Sequence, residues 1–73
     1  MKAKDMVKII QKHEREYYKT LKMFDREYNR LLNAGRLETT YGSFVKENAL
    51  IYSRRWHAIY QLMKELGIES EEY

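Results

Sequence analysis

Lys8, Lys12, Arg15, Lys19, Lys22 and Arg26 recur at steps of four, three, four, three and four residues. That is the spacing of side chains sharing one helical face. Lys4 and Arg30 extend the row less regularly. Cations standing roughly 5 to 6 Å apart along a line suit the phosphates of a nucleic-acid strand, or the carboxylates of an acidic protein surface. Neighbouring like charges on a helix repel by roughly a few tenths of a kcal/mol each, so a bare row is slightly costly. A solvated face is the competing account. Asp5 is spaced to reach Lys8, Glu16 to reach Lys12, Asp25 to reach Lys22 and Glu27 to reach Arg30, and these acids offset part of the repulsion.

The tyrosines divide by position. Tyr17, Tyr28 and Tyr52 fall on apolar rows and read as core rings with hydroxyls at the edge. Tyr18 and Tyr60 fall off those rows and read as exposed anchors for a partner, since tyrosine offers large area at low entropic cost. Tyr18 also adjoins the basic row, where it would stack on a base. Arg54-Arg55-Trp56-His57 is the densest polar and aromatic cluster. Trp56 falls on an apolar row, whereas Arg54 and His57 point outward, toward an anion or toward water.

Other chemistry is not visible. The chain has no cysteine, which excludes disulfides and thiolate metal sites. His13 and His57 are the only histidines and lie far apart. There is no Gly-rich phosphate loop, no metal-ligand spacing and no nucleophile–base arrangement. The sequence therefore predicts a protein that is not an enzyme, with no cofactor, no metal and no small-molecule substrate.

The elements that must carry these residues follow from the apolar rows. Ala3, Val7, Ile10, Glu14, Tyr17, Leu21, Phe24, Tyr28 and Leu31 interleave with the basic row and point the other way, predicting one helix over about residues 4–34. Gly35 stops it, and Gly35 to Gly42 form the turn. Thr40 or Ser43 is placed to cap a second helix over about residues 41–66. Its row is Val45, Ala49, Tyr52, Trp56, Ile59, Met63 and Leu66. Gly67 and Ile68 suggest a Schellman ending, and residues 68–73 read as a frayed acidic tail. Glu14 is the one polar residue of its row. Either it fixes register by pairing with an arginine, Arg55 first, or it turns out to solvent.

Both rows keep a mean step of 3.5 residues, the repeat of left-handed coiled coils. The expected fold is all-α: residues 1–73 form one domain, an antiparallel two-helix hairpin with coiled-coil-like packing. A monomeric three-helix arrangement, with a short helix near Leu37 to Tyr41, is the competing one. The second helix is apolar over a wider arc than one partner covers: Phe44, Ile51 and Ala58 flank its row and Leu62 adds to it. A chain of 73 residues has too little core alone. A homodimer, as a two-fold four-helix bundle, is the expected remedy.

Net charge is +3, but residues 1–36 hold ten Lys/Arg against five Asp/Glu, and residues 37–73 hold four against six. The basic half predicts an acidic partner or pairing between the halves. No apolar run reaches membrane-span or signal-peptide length, so the expected location is the cytoplasm, away from membranes. In size, lack of cysteine and Lys/Tyr content the chain resembles accessory proteins of bacterial phages and mobile elements, a resemblance of style that no motif carries. The expected function is a protein-binding module, a small regulator or inhibitor, using Phe44, Ile51, Tyr60, Leu62 and Tyr18, with Leu50 and Leu32 also exposed. The alternative is a nucleic-acid-binding accessory protein using the basic row without sequence specificity.

Overall fold

Helix α1 runs Ala3–Asn33 and helix α2 runs Thr40–Leu66 in the computed structural model, which describes residues 2–70. No strand occurs among the described residues. The two helices pack along their lengths into a rod 49 × 18 × 18 Å. Their order is antiparallel. Phe24 meets Phe44 and Tyr52, Tyr18 meets Trp56, and Glu14 meets Ser70, so partners retreat along one helix as they advance along the other.

The turn is built from local chemistry. Gly35 takes φ 69°, a left-handed conformation that costs a side chain but not glycine. The Arg36 N–H donates to Leu31 O at 2.9 Å and the Gly35 N–H to Leu32 O at 3.2 Å, a complete Schellman motif. The same motif closes α2: Gly67 sits at φ 70°, and the Ile68 N–H donates to Met63 O at 2.8 Å. Between the helices no third helix forms. Residues 34–39 are turns that feed α2 directly.

The cap of α2 is Thr39, not Thr40 or Ser43. Its Oγ1 accepts from the Gly42 N–H at 2.9 Å and donates to Arg36 O at 2.8 Å. Thr39 is the residue still in extended conformation, which is what lets a side chain reach back over the first turn. Thr39→Ala should cost about 1 kcal/mol, read as a lower midpoint in urea unfolding, while Thr39→Ser should keep most of the loss at bay. Equal stability of both variants and the parent would remove the cap from the account.

The packed seam is thin. Val45, Met63, Leu31 and Leu21 are the buried apolar residues, at 0, 1, 3 and 8% exposure. Around them the seam is aromatic and half-buried. Phe24 stacks on Tyr52 at 5.8 Å and meets Phe44 edge-on at 6.1 Å, and Tyr17 meets Tyr52 edge-on at 6.3 Å. Such ring pairs contribute about 0.5 to 1.5 kcal/mol beyond their buried area.

The ends of both rows depart from expectation. Ala3 and Leu66 are exposed, because neither faces a partner turn at the open end of the hairpin. Ile68, folded back by its bond to Met63, is half-buried there instead. The chain after Gly67 does not fray at once. The Gln11 amide donates to Glu69 O at 3.0 Å and the Ser70 hydroxyl to Glu14 Oε1 at 2.7 Å, tying the segment to α1. The rest of the expected acidic tail, residues 71–73, lies outside the described residues.

Glu14 is 1% exposed, so it does not turn out to solvent. Its partner is the Ser70 hydroxyl rather than Arg55, whose guanidinium instead lies 5.2 Å over the Tyr52 ring. Sequence spacing within the helices favours Arg55. The return of the chain past Gly67, invisible to helical periodicity, brings Ser70 closer.

Candidate functional site

Two surfaces and one groove are candidates. The first surface is the basic row on α1. Lys8, Lys12, Lys19, Lys22 and Arg26 are exposed and Arg15 is half-buried. Of the four acid–base pairs that spacing offered, Glu27–Arg30 closes, with the Arg30 Nε donating to Glu27 Oε1 at 2.9 Å. Asp5 with Lys8, Glu16 with Lys12 and Asp25 with Lys22 form no ion pair among the described residues. Long exposed side chains gain little from such pairs and lose rotamer freedom in making them. The hydrogen bond from Arg30 holds the Glu27 carboxyl below its ordinary value, with burial opposing and Tyr41 assisting. That pair is therefore intact at neutral pH and is lost as pH falls through the lowered value.

Lys22 has a different partner. Its Nζ lies 5.3 Å from the centroid of the Tyr18 ring. Tyr18 lies 5.8 Å from Trp56 on α2, Trp56 stacks on Tyr60 at 5.1 Å, and the Lys64 Nζ lies 5.1 Å over Tyr60. Three rings thus bridge the two helices between two ammonium groups. The i, i+4 spacing of Trp56, Tyr60 and Lys64 aligns the α2 members on one face. Tyr18 and Tyr60 are therefore half-buried against Trp56, not free anchors. Sequence reading missed this because Tyr18 is one step off its row. A ring that large reaches across a two-helix seam from a flanking position.

The second surface is the outer flank of α2. Phe44 is 52% exposed, Leu62 45% and Ile51 36%, and Ala58 is exposed beside them. Asn48 and Arg55 fall in the same row. The Asn48 amide is turned back onto Phe44 O at 2.9 Å, which removes a polar group from the flank. Phe44 keeps its inner edge on Phe24 and stacks on Tyr41 at 6.4 Å, so the ring is held in place while its outer half meets water. Leu50 and Leu32 are exposed elsewhere, and neither joins this row.

The groove is an open trough of about 550 Å³ lined by Asp25, Tyr28, Ser43, Lys46, Glu47, Ala49 and Leu50. Neither histidine lines it, so its serine has no imidazole to take a proton. Among the described residues no cluster of His, Cys, Asp and Glu is placed to hold a metal ion. No described helix is long and apolar enough to cross a membrane. His13 and His57 are both exposed, and the His13 ring lies 6.2 Å from Tyr17. Compared with known proteins, the chain matches no family model, no curated sequence and no solved structure.

Proposed function

We infer that this chain is a non-enzymatic, cytoplasmic protein–protein interaction module that docks through the outer flank of α2, and that its occupant is a second copy of the chain. One observation carries this reading: Phe44, Asn48, Ile51, Arg55, Ala58 and Leu62 form a second row on α2 at steps of four, three, four, three and four. That is the coiled-coil repeat again, on a flank exposed to water. Two such rows on one helix are the pattern of a bundle helix with neighbours on two sides.

Size supports the same occupant. A compact monomer of this mass exposes about 4,900 Å², whereas this hairpin exposes 5804 Å². One long side of a rod 49 × 18 × 18 Å matches the roughly 800 Å² that each partner gives to an ordinary interface. A two-fold axis perpendicular to α2 at the middle of the flank would set the Phe44 end of one copy against the Leu62 end of the other and produce a four-helix bundle with coiled-coil-like packing. An assembly of this kind acts by presenting or occupying surfaces, as a small regulator or inhibitor does.

Sedimentation equilibrium tests it. The expected result is a dimer at micromolar concentration, and a monomer with unchanged helical circular dichroism for the double variant Ile51→Lys, Leu62→Lys. A parent chain that stays monomeric through that range overturns self-association. So does a dimer that the double variant leaves intact.

A further inference from the structure

We propose that the basic row of α1 and Lys64 of α2 form one continuous surface that binds the phosphate backbone of nucleic acid without reading its sequence. The proposal does not depend on the oligomeric state. The row lies on the flank marked by Lys22, Tyr18 and Trp56, whereas the apolar row is anchored by Phe44 on Phe24.

The first support is the absence of internal compensation. Lys8, Lys12, Lys19 and Arg26 make no hydrogen bond or ion pair among the described residues, although acids lie three or four positions away. The second is shape. From Lys8 to Arg26 the row covers roughly 27 Å of straight helix, so its charges are held in line by the backbone rather than by loops. The third is the ring bridge. Lys22 and Lys64 cap the two ends of the Tyr18–Trp56–Tyr60 stack. That run of rings links Lys22 of the α1 row to a cation of α2 and sets each of the two ammonium groups over a ring. Restrained cations lose less entropy when they meet phosphates.

Nucleic acid fits better than an acidic protein surface. Carboxylates on a protein are intermittent, while phosphates repeat evenly and so reward an even row of cations. Nothing in the row resembles a recognition element: Lys and Arg side chains at helical intervals contact backbone, and no Asn or Gln lies within the row to read a base edge.

The test is fluorescence anisotropy with labelled single-stranded and duplex oligonucleotides of mixed sequence, titrated at several salt concentrations. With Lys8, Lys12, Lys19, Lys22, Arg26 and Lys64 engaged, the log–log salt slope should be about −5 for duplex and about −4 for single strand. Raising salt from 50 to 200 mM should weaken duplex binding about a thousandfold. The double variant Lys12→Gln, Lys19→Gln should flatten the slope by about 2. The control Arg36→Gln, Arg54→Gln, with the same loss of charge off the row, should leave it unchanged. Circular dichroism checks that both variants keep the parent's helicity. No binding at 50 mM salt overturns the proposal. Equal effects of the two double variants reduce it to net charge and overturn it too. Tighter binding to labelled polyglutamate or to phosphatidylserine vesicles than to either oligonucleotide would assign the surface to another partner.

Discussion

Gly42→Ala should destabilise this protein by about 2 kcal/mol or more, although alanine is the better helix former. Gly42 lies in the first turn of α2 and is buried. A Cβ built there would stand 2.4 Å from Leu37 O and 2.7 Å from Arg36 O. Both atoms are backbone and cannot rotate away. Arg36 O is further held by Thr39, which donates to it from its hydroxyl at 2.8 Å, and Arg36 itself is fixed by its N–H bond to Leu31 O at 2.9 Å. Making room for one methyl group would therefore disturb the cap of α2 and the end of α1 together. Helix propensity alone predicts a gain of about 1 kcal/mol for the same change, so the sign of the result decides between local preference and packing. For a domain of this size each kcal/mol corresponds to about 4–8 °C in Tm. Thermal unfolding followed by circular dichroism is sufficient, and a Tm at or above the parent's would refute the close approach. Gly35→Ala is the useful comparison. It has open space around its Cβ but φ 69°, so its cost is conformational, about 1–2 kcal/mol.

Glu14 and Ser70 should respond in opposite directions. Glu14 is 1% exposed, one carboxyl oxygen accepts from Ser70 at 2.7 Å, and the other is buried with no hydrogen-bond partner. A buried polar group left half-satisfied costs free energy that an apolar residue of similar volume does not. Glu14→Met should raise stability by about 1–3 kcal/mol. Ser70→Ala removes the one partner the carboxyl has and should lower stability by about 1–3 kcal/mol. In the Glu14→Met background the Ser70 change should be close to neutral, because nothing is then left unpaired. Urea unfolding of the four proteins gives the cycle directly. A Met variant no more stable than the parent, or equal Ser70 effects in both backgrounds, would show that the contact carries no weight. Trp56 Nε1 is a second buried orphan in the same seam. The hairpin thus retains polar atoms in its interior that an optimised core would lack. A polar position in a coiled-coil row commonly sets register at such a cost.

Much of the fold was legible because helical periodicity is a local property. The row Val7, Ile10, Glu14, Tyr17, Leu21, Phe24, Tyr28 and Leu31 holds its pattern over about seven helical turns with one polar exception, and every one of these residues is shielded from full exposure. Gly35 and Gly67 were readable for the same reason, since a left-handed stop is a property of one residue and its neighbours. The basic row was equally legible as the water-facing side of α1. Its electrostatics were not. Spacing within three or four residues permits an ion pair but does not form one, and only Glu27 with Arg30 closed among the described residues.

The sequence by itself determined the two helices, their stops, the outward placement of Lys8 to Arg26, and the wide apolar arc of α2. Each of these depends on contacts no more than one turn away along the chain. The tertiary structure alone decided that Tyr18 and Tyr60 are spent on Trp56, that Glu14 meets Ser70, that Gly42 admits no side chain, and that Phe44, Ile51 and Leu62 keep their outer halves in water. Those outcomes depend on how far apart and at what rotation two helices come to rest. That geometry is set by the summed bulk of Phe24, Tyr52, Trp56 and Met63 in the seam, not by the spacing of residues within either helix.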